Sequence, residues 1–201
     1  NRISIEEVNE IKQYLDKYVW FLKPEKDFTL TSILNQIKAI KQRYGLEYFV
    51  IDAWNKIEHA DDKTSYIGKC LDEIVAFCEI NNVHCFLVAH PTKIKKNINT
   101  GKYEVPTLYD IAGSANFYNK ADNGICVYRD FEEQKTYVHI QKIKFDHWGT
   151  ESCAVFTYDV KSKRYQSDTP DLGSWLNPKS LYNEMIEYVN GKPKEDLTEF
   201  D

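Results

Sequence analysis

Two short apolar runs in this chain each end on one side chain capable of chemistry. Tyr48-Phe49-Val50-Ile51-Asp52 ends on a carboxylate, and Cys85-Phe86-Leu87-Val88-Ala89-His90 ends on an imidazole. Such β-branched and aromatic runs read as fully buried strands of a parallel sheet, with the polar residue where the strand emerges. Ligands of open α/β sheets bind outside the carboxyl ends of the strands, so both groups are aimed at a crevice. A carboxylate there can hold a hard, hydrated magnesium ion that bridges phosphates. The competing readings are a turn residue for Asp52 and a satisfied structural histidine for His90.

The segment between the two runs decides whether they share an edge. From Lys63 to Phe77 the residues Tyr66, Ile67, Cys70, Leu71, Ile74, Val75 and Phe77 fall at helical spacing and make one wide buried stripe. Strand, helix and strand with short links form a right-handed βαβ unit, which delivers Asp52 and His90 to the same rim. Around this unit, Ser4 with Glu6 and Glu7 starts a helix through Val8, Ile11 and Leu15. Tyr18 to Leu22 reads as a short strand, and Thr31 to Tyr44 as an amphipathic helix stopped by Gly45. A short helix from Ser114 or Ala115 to about Ala121 leads into a strand from Gly124 to Tyr128. Tyr137 to Ile143 and Ala154 to Tyr158 alternate as antiparallel strands, joined through His147-Trp148-Gly149. Pro178 to Val189 reads as a final helix, and residues 193–201 as a loose tail.

With 201 residues and a net charge of −5, the chain is sized for one domain and lacks an overall basic coat, which leaves room for a local basic path. No apolar run approaches the roughly 18 residues that a membrane span needs. The five cysteines lie mostly in apolar segments without a C-x-x-C pair, so they read as buried thiols of a reducing, cytoplasmic compartment. Opening on Asn1 rather than Met, the chain reads as a piece of something longer.

From about Tyr48 to Tyr165 the motifs resemble the RecA-like motor domain of ring-shaped replicative DNA helicases, the DnaB and Twinkle type that includes phage primase-helicases. Phe49-Val50-Ile51-Asp52 followed by Asn55 looks like their Walker B strand, and Phe86 to Lys93 like the strand carrying a phosphate-sensing residue. Asp110-Ile111-Ala112-Gly113-Ser114-Ala115, continuing to Asn123, resembles the segment of the second sensor. Gln141-Lys142-Ile143-Lys144-Phe145, with Gly149 and Tyr158-Asp159, is similar to the late hairpin that reaches the neighbouring subunit's nucleotide. The resemblance implies an α/β fold, a RecA-like parallel sheet core flanked by helices, with an antiparallel hairpin extension on the C-terminal side. Residues 1–168 would be a partial RecA-like ATPase domain, and 169–201 a C-terminal helix and tail. It implies ATP or another NTP with Mg2+ at Asp52, sensing by His90 and by Asn119 in place of the family's Gln, and Lys142 and Lys144 acting in trans. Lys144 stands where an Arg is expected, and an ammonium cannot make the bidentate fork of a guanidinium. A solvated lysine ladder is the alternative for that pair.

The lysines of the Pro91–Pro106 loop, Lys93, Lys95, Lys96 and Lys102, occupy the place of the family's channel loop, which implies contact with phosphates of single-stranded DNA; plain surface is the alternative. The partners implied are single-stranded DNA and a homo-oligomeric ring, with no membrane. A phosphate cradle of the form G-x-x-x-x-G-K-[ST] is missing: Gly101-Lys102, Gly68-Lys69 and Gly191-Lys192 have Lys96, Lys63 and Ile186 at the required first glycine. The cradle and the glutamate that activates water are therefore expected upstream, and the chain alone is expected to have negligible ATPase activity. A non-enzymatic RecA-like module that binds DNA or a protein, and a RecA-type recombinase, are the alternatives. Trp54 and Trp148 read as packing residues.

Overall fold

The computed structural model describes residues 4–24, 27–61, 63–92, 94, 96–98, 101, 103–111, 114–145, 147 and 149–168. The expected C-terminal helix and tail, Trp148, Lys93, Lys95 and Lys102 lie outside them. Residues Pro24–Asp168 form one compact unit, and helix α1 (Ile5–Tyr18) belongs to another. In α1, Ser4 and Glu7 cap each other: the Glu7 amide donates to Ser4 Oγ at 3.1 Å and the Ser4 amide to Glu7 Oε2 at 2.7 Å. The strand expected over Tyr18–Leu22 does not form; α1 runs through Tyr18, and the residues after it are irregular. Val19, Trp20, Phe21 and Leu22 are all exposed, and among the described residues no strand pairs with them.

The main unit begins with α2 (Leu30–Tyr44), capped by Thr29 and ended by Gly45 at φ +75°, a conformation that strains any residue with a Cβ. Strand β1 (Tyr48–Asp52), helix α3 (Thr64–Asn81) and strand β2 (His84–Val88) follow. β1 and β2 pair in parallel, with Asp52 opposite Val88. Phe49 and Ile51 of β1 are buried against Leu34 and Ile37 of α2 and Ile67, Cys70, Leu71 and Ile74 of α3. Both helices thus cover one sheet face. The other is open: Tyr48 is 60% exposed, Val50 62% and Phe86 50%. This corrects the expectation of fully buried strands. Doubly covered burial needs helices on both faces and neighbours on both edges, and among the described residues these two strands carry helices on one side only.

After a short turn at Leu108–Asp110 and helix α4 (Ser114–Lys120), the chain enters a separate antiparallel sheet. Its order is β3 (Asn123–Asp130), β4 (Lys135–Ile143), β5 (Ser152–Asp159) and β6 (Arg164–Ser167). The expected hairpin is therefore the middle of a four-stranded sheet. β6 went unread because Arg-Tyr-Gln-Ser is short and has no apolar alternation. It is held at its end by Asp168, whose carboxylate accepts from Lys135 Nζ at 2.5 Å and from Thr157 Oγ1 at 3.1 Å.

A bulge falls between Gly124 and Ile125, and Gly124 is there because Leu108 leaves no room. A Cβ on Gly124 would lie 2.2 Å from Leu108 Cδ1. Gly124→Ala should therefore cost about 1–3 kcal/mol in a denaturant titration, as overpacking generally does. A neutral result would mean that Leu108 moves freely aside.

The cysteines are free thiols, but not uniformly buried: Cys70 is buried, while Cys153 is exposed at the start of β5. Burial pushes the Cys85 thiol up to about 12, so it stays protonated at neutral pH.

Candidate functional site

The parallel register carries both singled-out residues to the same rim. Asp52 is the last residue of β1 and pairs with Val88, the last of β2, and His90 follows two residues on. Both side chains are exposed. The exit loops are tied together, with the His90 amide donating to Asn55 Oδ1 at 3.4 Å. Asn55 is held by its neighbour Trp54, which is 5% exposed and packs edge-on against Phe117 of α4, with ring centroids 5.6 Å apart. The peptide bond between Asp52 and Ala53 is cis.

The chain beyond His90 is fastened to the turn before α4. Thr92 donates to the Asp110 carbonyl twice, from its amide at 2.7 Å and from its hydroxyl at 2.8 Å. Pro91 and Ile111 form an antiparallel bridge beside this contact. The Asp110 carboxylate is itself consumed in capping, accepting from the Thr107 amide and hydroxyl at 2.7 and 2.8 Å. α4 packs on α3 through Asn116, whose Nδ2 donates to the Thr64 carbonyl at 2.6 Å. Phe117 sinks into the core, and Asn119, two residues on, faces out and is exposed.

The two basic candidates differ in freedom. Lys142, on β4, is half-buried; its ammonium donates to the Tyr118 carbonyl at 2.5 Å and lies 4.9 Å from the Tyr118 ring centroid. Lys144 lies just past the end of β4, half exposed, in an ion pair with Asp122 at 2.6 Å. An exposed pair of this kind is worth little and exchanges readily with a stronger anion. Of the loop lysines, Lys96 is described: it is exposed, bridges to Tyr103 and holds its ammonium 5.1 Å from that ring.

Asp52 offers one exposed carboxylate, and among the described residues no group of three or more His, Cys, Asp or Glu could cage a metal. That donor set fits magnesium, which keeps its waters and takes one or two carboxylates together with substrate phosphates.

Comparison with known proteins gives this rim its context. The chain is 32% identical over 180 residues, 84% of its length, to the Twinkle homolog protein, chloroplastic/mitochondrial, of Arabidopsis thaliana. This likeness, with the fold below, supports a RecA-like helicase motor domain. Its fold matches that of a solved ATPase domain with a TM-score of 0.54 at 14% identity, over 68% of this chain. No family model matches it. The chain spans a quarter of the length of the Arabidopsis relative and half that of the solved ATPase domain. Among the described residues, no helix is long and apolar enough to cross a membrane.

Sequence reasoning found the residues at the ends of β1 and β2 and missed those that hold the rim together. Tyr118, which ties down Lys142, and the Thr92–Asp110 link depend on contacts between distant segments. The one local signal was the Thr107-x-x-Asp110 spacing of a capped turn.

Proposed function

We propose that this segment is the later part of an NTP-driven DNA-unwinding ring motor. Asp52 supplies the carboxylate for the nucleotide's magnesium, and His90 reads the γ-phosphate, with Asn119 as a second polar group. The single observation supporting this most is that Asp52 and His90 share one exposed rim, with the exit loops joined through Asn55. Magnesium, when bound, would neutralise charge on the phosphates. The chain's own groups would orient it and register loss of the phosphate.

His90 is one residue from Pro91 and two from Thr92, and Thr92 is bonded to Asp110. A shift of His90 would therefore reach both the lysine loop and the turn before α4. Lys144 is the better candidate for stabilising a neighbouring subunit's transition state, because Asp122 holds it only at the surface. Lys142 would first have to leave Tyr118, so it serves to brace α4 against β4.

The test is ATP turnover. A polypeptide joining this chain to the phosphate cradle should hydrolyse ATP in the presence of single-stranded DNA, and the 201-residue chain alone should not. Turnover by the chain alone at a rate typical of such motors would overturn the division of labour.

The DNA contact is tested separately. Lys96→Ala should weaken binding of a single-stranded oligonucleotide and reduce the slope of log K against log salt by about 0.7, the value for one phosphate contact on a single strand. Because Lys96 is exposed, the variant should unfold like the parent. An unchanged slope would return the loop to plain surface.

A further inference from the structure

Of the five thiols, Cys153 is the exposed one. The register of β4 on β5 sets it directly opposite His139, and directly opposed residues of an antiparallel pair share a face. Cys153 Sγ lies 3.9 Å from His139 Nε2 and 3.8 Å from the Ala154 carbonyl oxygen. The imidazole is held in turn. Its ring lies nearly parallel to that of Tyr137, with centroids 6.1 Å apart and an interplanar angle of 21°. A thiol beside a base that a third group orients is set up to act as a nucleophile.

The other thiols are set up to stay inert. Cys70 is buried. Burial raises Cys78, Cys85 and Cys126, which keeps them protonated. Cys126 is the residue opposite His139 on β3, so the imidazole has a cysteine on each neighbouring strand, and the exposed one is Cys153.

Cys153 and His139 also line a cleft of about 510 Å³, together with Tyr109, Tyr118 and Glu151. That volume is in the range of small-molecule sites, so a group attached to the sulfur has room beside it. Around the pair, Cys126 stays neutral, and so does Tyr137. The Tyr137 hydroxyl donates to Glu133 Oε2 at 2.5 Å, which pushes it up to about 12. Glu151 puts a carboxylate on the cleft wall, so an uncharged reagent is the cleanest probe of the thiol.

We propose that Cys153 is a modification site, a nucleophilic thiol that exchanges with low-molecular-weight disulfides and carries the adduct in this cleft. With its own proton on Nδ1, His139 takes the thiol proton on Nε2, and the thiolate attacks one sulfur of the incoming disulfide. The new S–S bond forms as the old one breaks, and the departing thiolate recovers the proton from His139. The incoming disulfide is reduced by as much as Cys153 is oxidised, so no further oxidant is required. The proposal does not depend on the chemistry assigned to Asp52 or His90.

The test treats the native 201-residue chain with bis(2-hydroxyethyl) disulfide and follows adducts by intact mass and peptide mapping. One adduct should form first, at Cys153, about tenfold faster at pH 7 than at the same cysteine in guanidinium-unfolded chain. Cys153→Ser should take no adduct in that time. His139→Phe keeps a ring against Tyr137 and removes the base. It should react about tenfold more slowly at pH 7 and match the parent above about pH 9.5, where a thiol ionises unaided. The comparison of native with unfolded parent stands whether or not that variant folds. First labelling at another cysteine, a native rate at Cys153 no faster than the unfolded one, or a folded His139→Phe that keeps the parent rate at pH 7 would overturn the proposal. Its failure would leave the rim reading intact, since no ATP or magnesium enters the assay.

Discussion

Asp52→Asn is expected to lower ATP turnover by about 10²–10⁴-fold in a polypeptide that joins this chain to a phosphate cradle. The magnitude follows from the several kcal/mol that a correctly held metal contributes to a phosphoryl-transfer transition state, at about 1.36 kcal/mol for each factor of ten. The asparagine keeps the shape and one oxygen but loses the anionic charge that a hard, hydrated cation selects. Nothing in the fold should suffer. Asp52 is exposed at the end of β1, and the neighbouring contacts that organise the loop belong to Trp54 and Asn55. Unfolding of the variant should therefore stay within about 0.5 kcal/mol of the parent, as for surface changes generally. Turnover and stability thus separate the two readings of this carboxylate. A catalytic loss at constant stability marks a metal ligand, and a stability loss marks a turn residue. Unchanged turnover would remove Asp52 from the chemistry. Raising magnesium should recover part of the lost rate if the defect lies in holding the ion.

Much of the frame that supports this test was legible from local patterns. β1 ends at Asp52 because the apolar run ends there, and α2 ends at Gly45 because that position needs a left-handed backbone. α3 and α4 follow their apolar spacing to within a few residues. What failed to show in the sequence was the environment of each element. The run Tyr48–Asp52 has the composition of a doubly covered strand, yet Val50 faces outward, because composition does not say how many neighbours arrive. Val19–Leu22 has the residues of a strand but is exposed and irregular. The sequence pairs Lys142 and Lys144 at two-residue spacing, with Lys144 where an Arg is expected. They diverge because α4 presents a carbonyl and a ring to the first, whereas the second meets Asp122 and the ring of its own neighbour Phe145. The meeting of Cys153 with His139, 14 residues away, is invisible in sequence, since it depends on the register of β4 on β5.

Trp54→Ala should be the most destabilising single change in the Pro24–Asp168 unit, by about 3–5 kcal/mol, the range for removing a buried aromatic from a packed core. Trp54 is 5% exposed, lies 4.4 Å centroid to centroid from His59, and meets Phe117 edge-on at 5.6 Å. The indole thus joins the exit of β1 to α4, two elements that share no strand pairing. Chemical denaturation of the 201-residue chain measures the loss, and Trp54→Phe should recover much of it by refilling the cavity. A double-mutant cycle with Phe117→Leu should return a coupling of about 0.5–1.5 kcal/mol, the usual excess of an aromatic pair over its buried area. The consequence for the rim is specific. Asn55 follows Trp54 directly, and its Oδ1 is the acceptor that the His90 amide uses. Loss of the indole should therefore raise hydrogen exchange at His90 more than at Phe49, whose ring sits among α2 and α3 side chains deeper in the core. Equal protection at both positions, or a stability loss below about 1 kcal/mol, would mean that the β1 exit is held by its own backbone and that Trp54 merely fills space beside it.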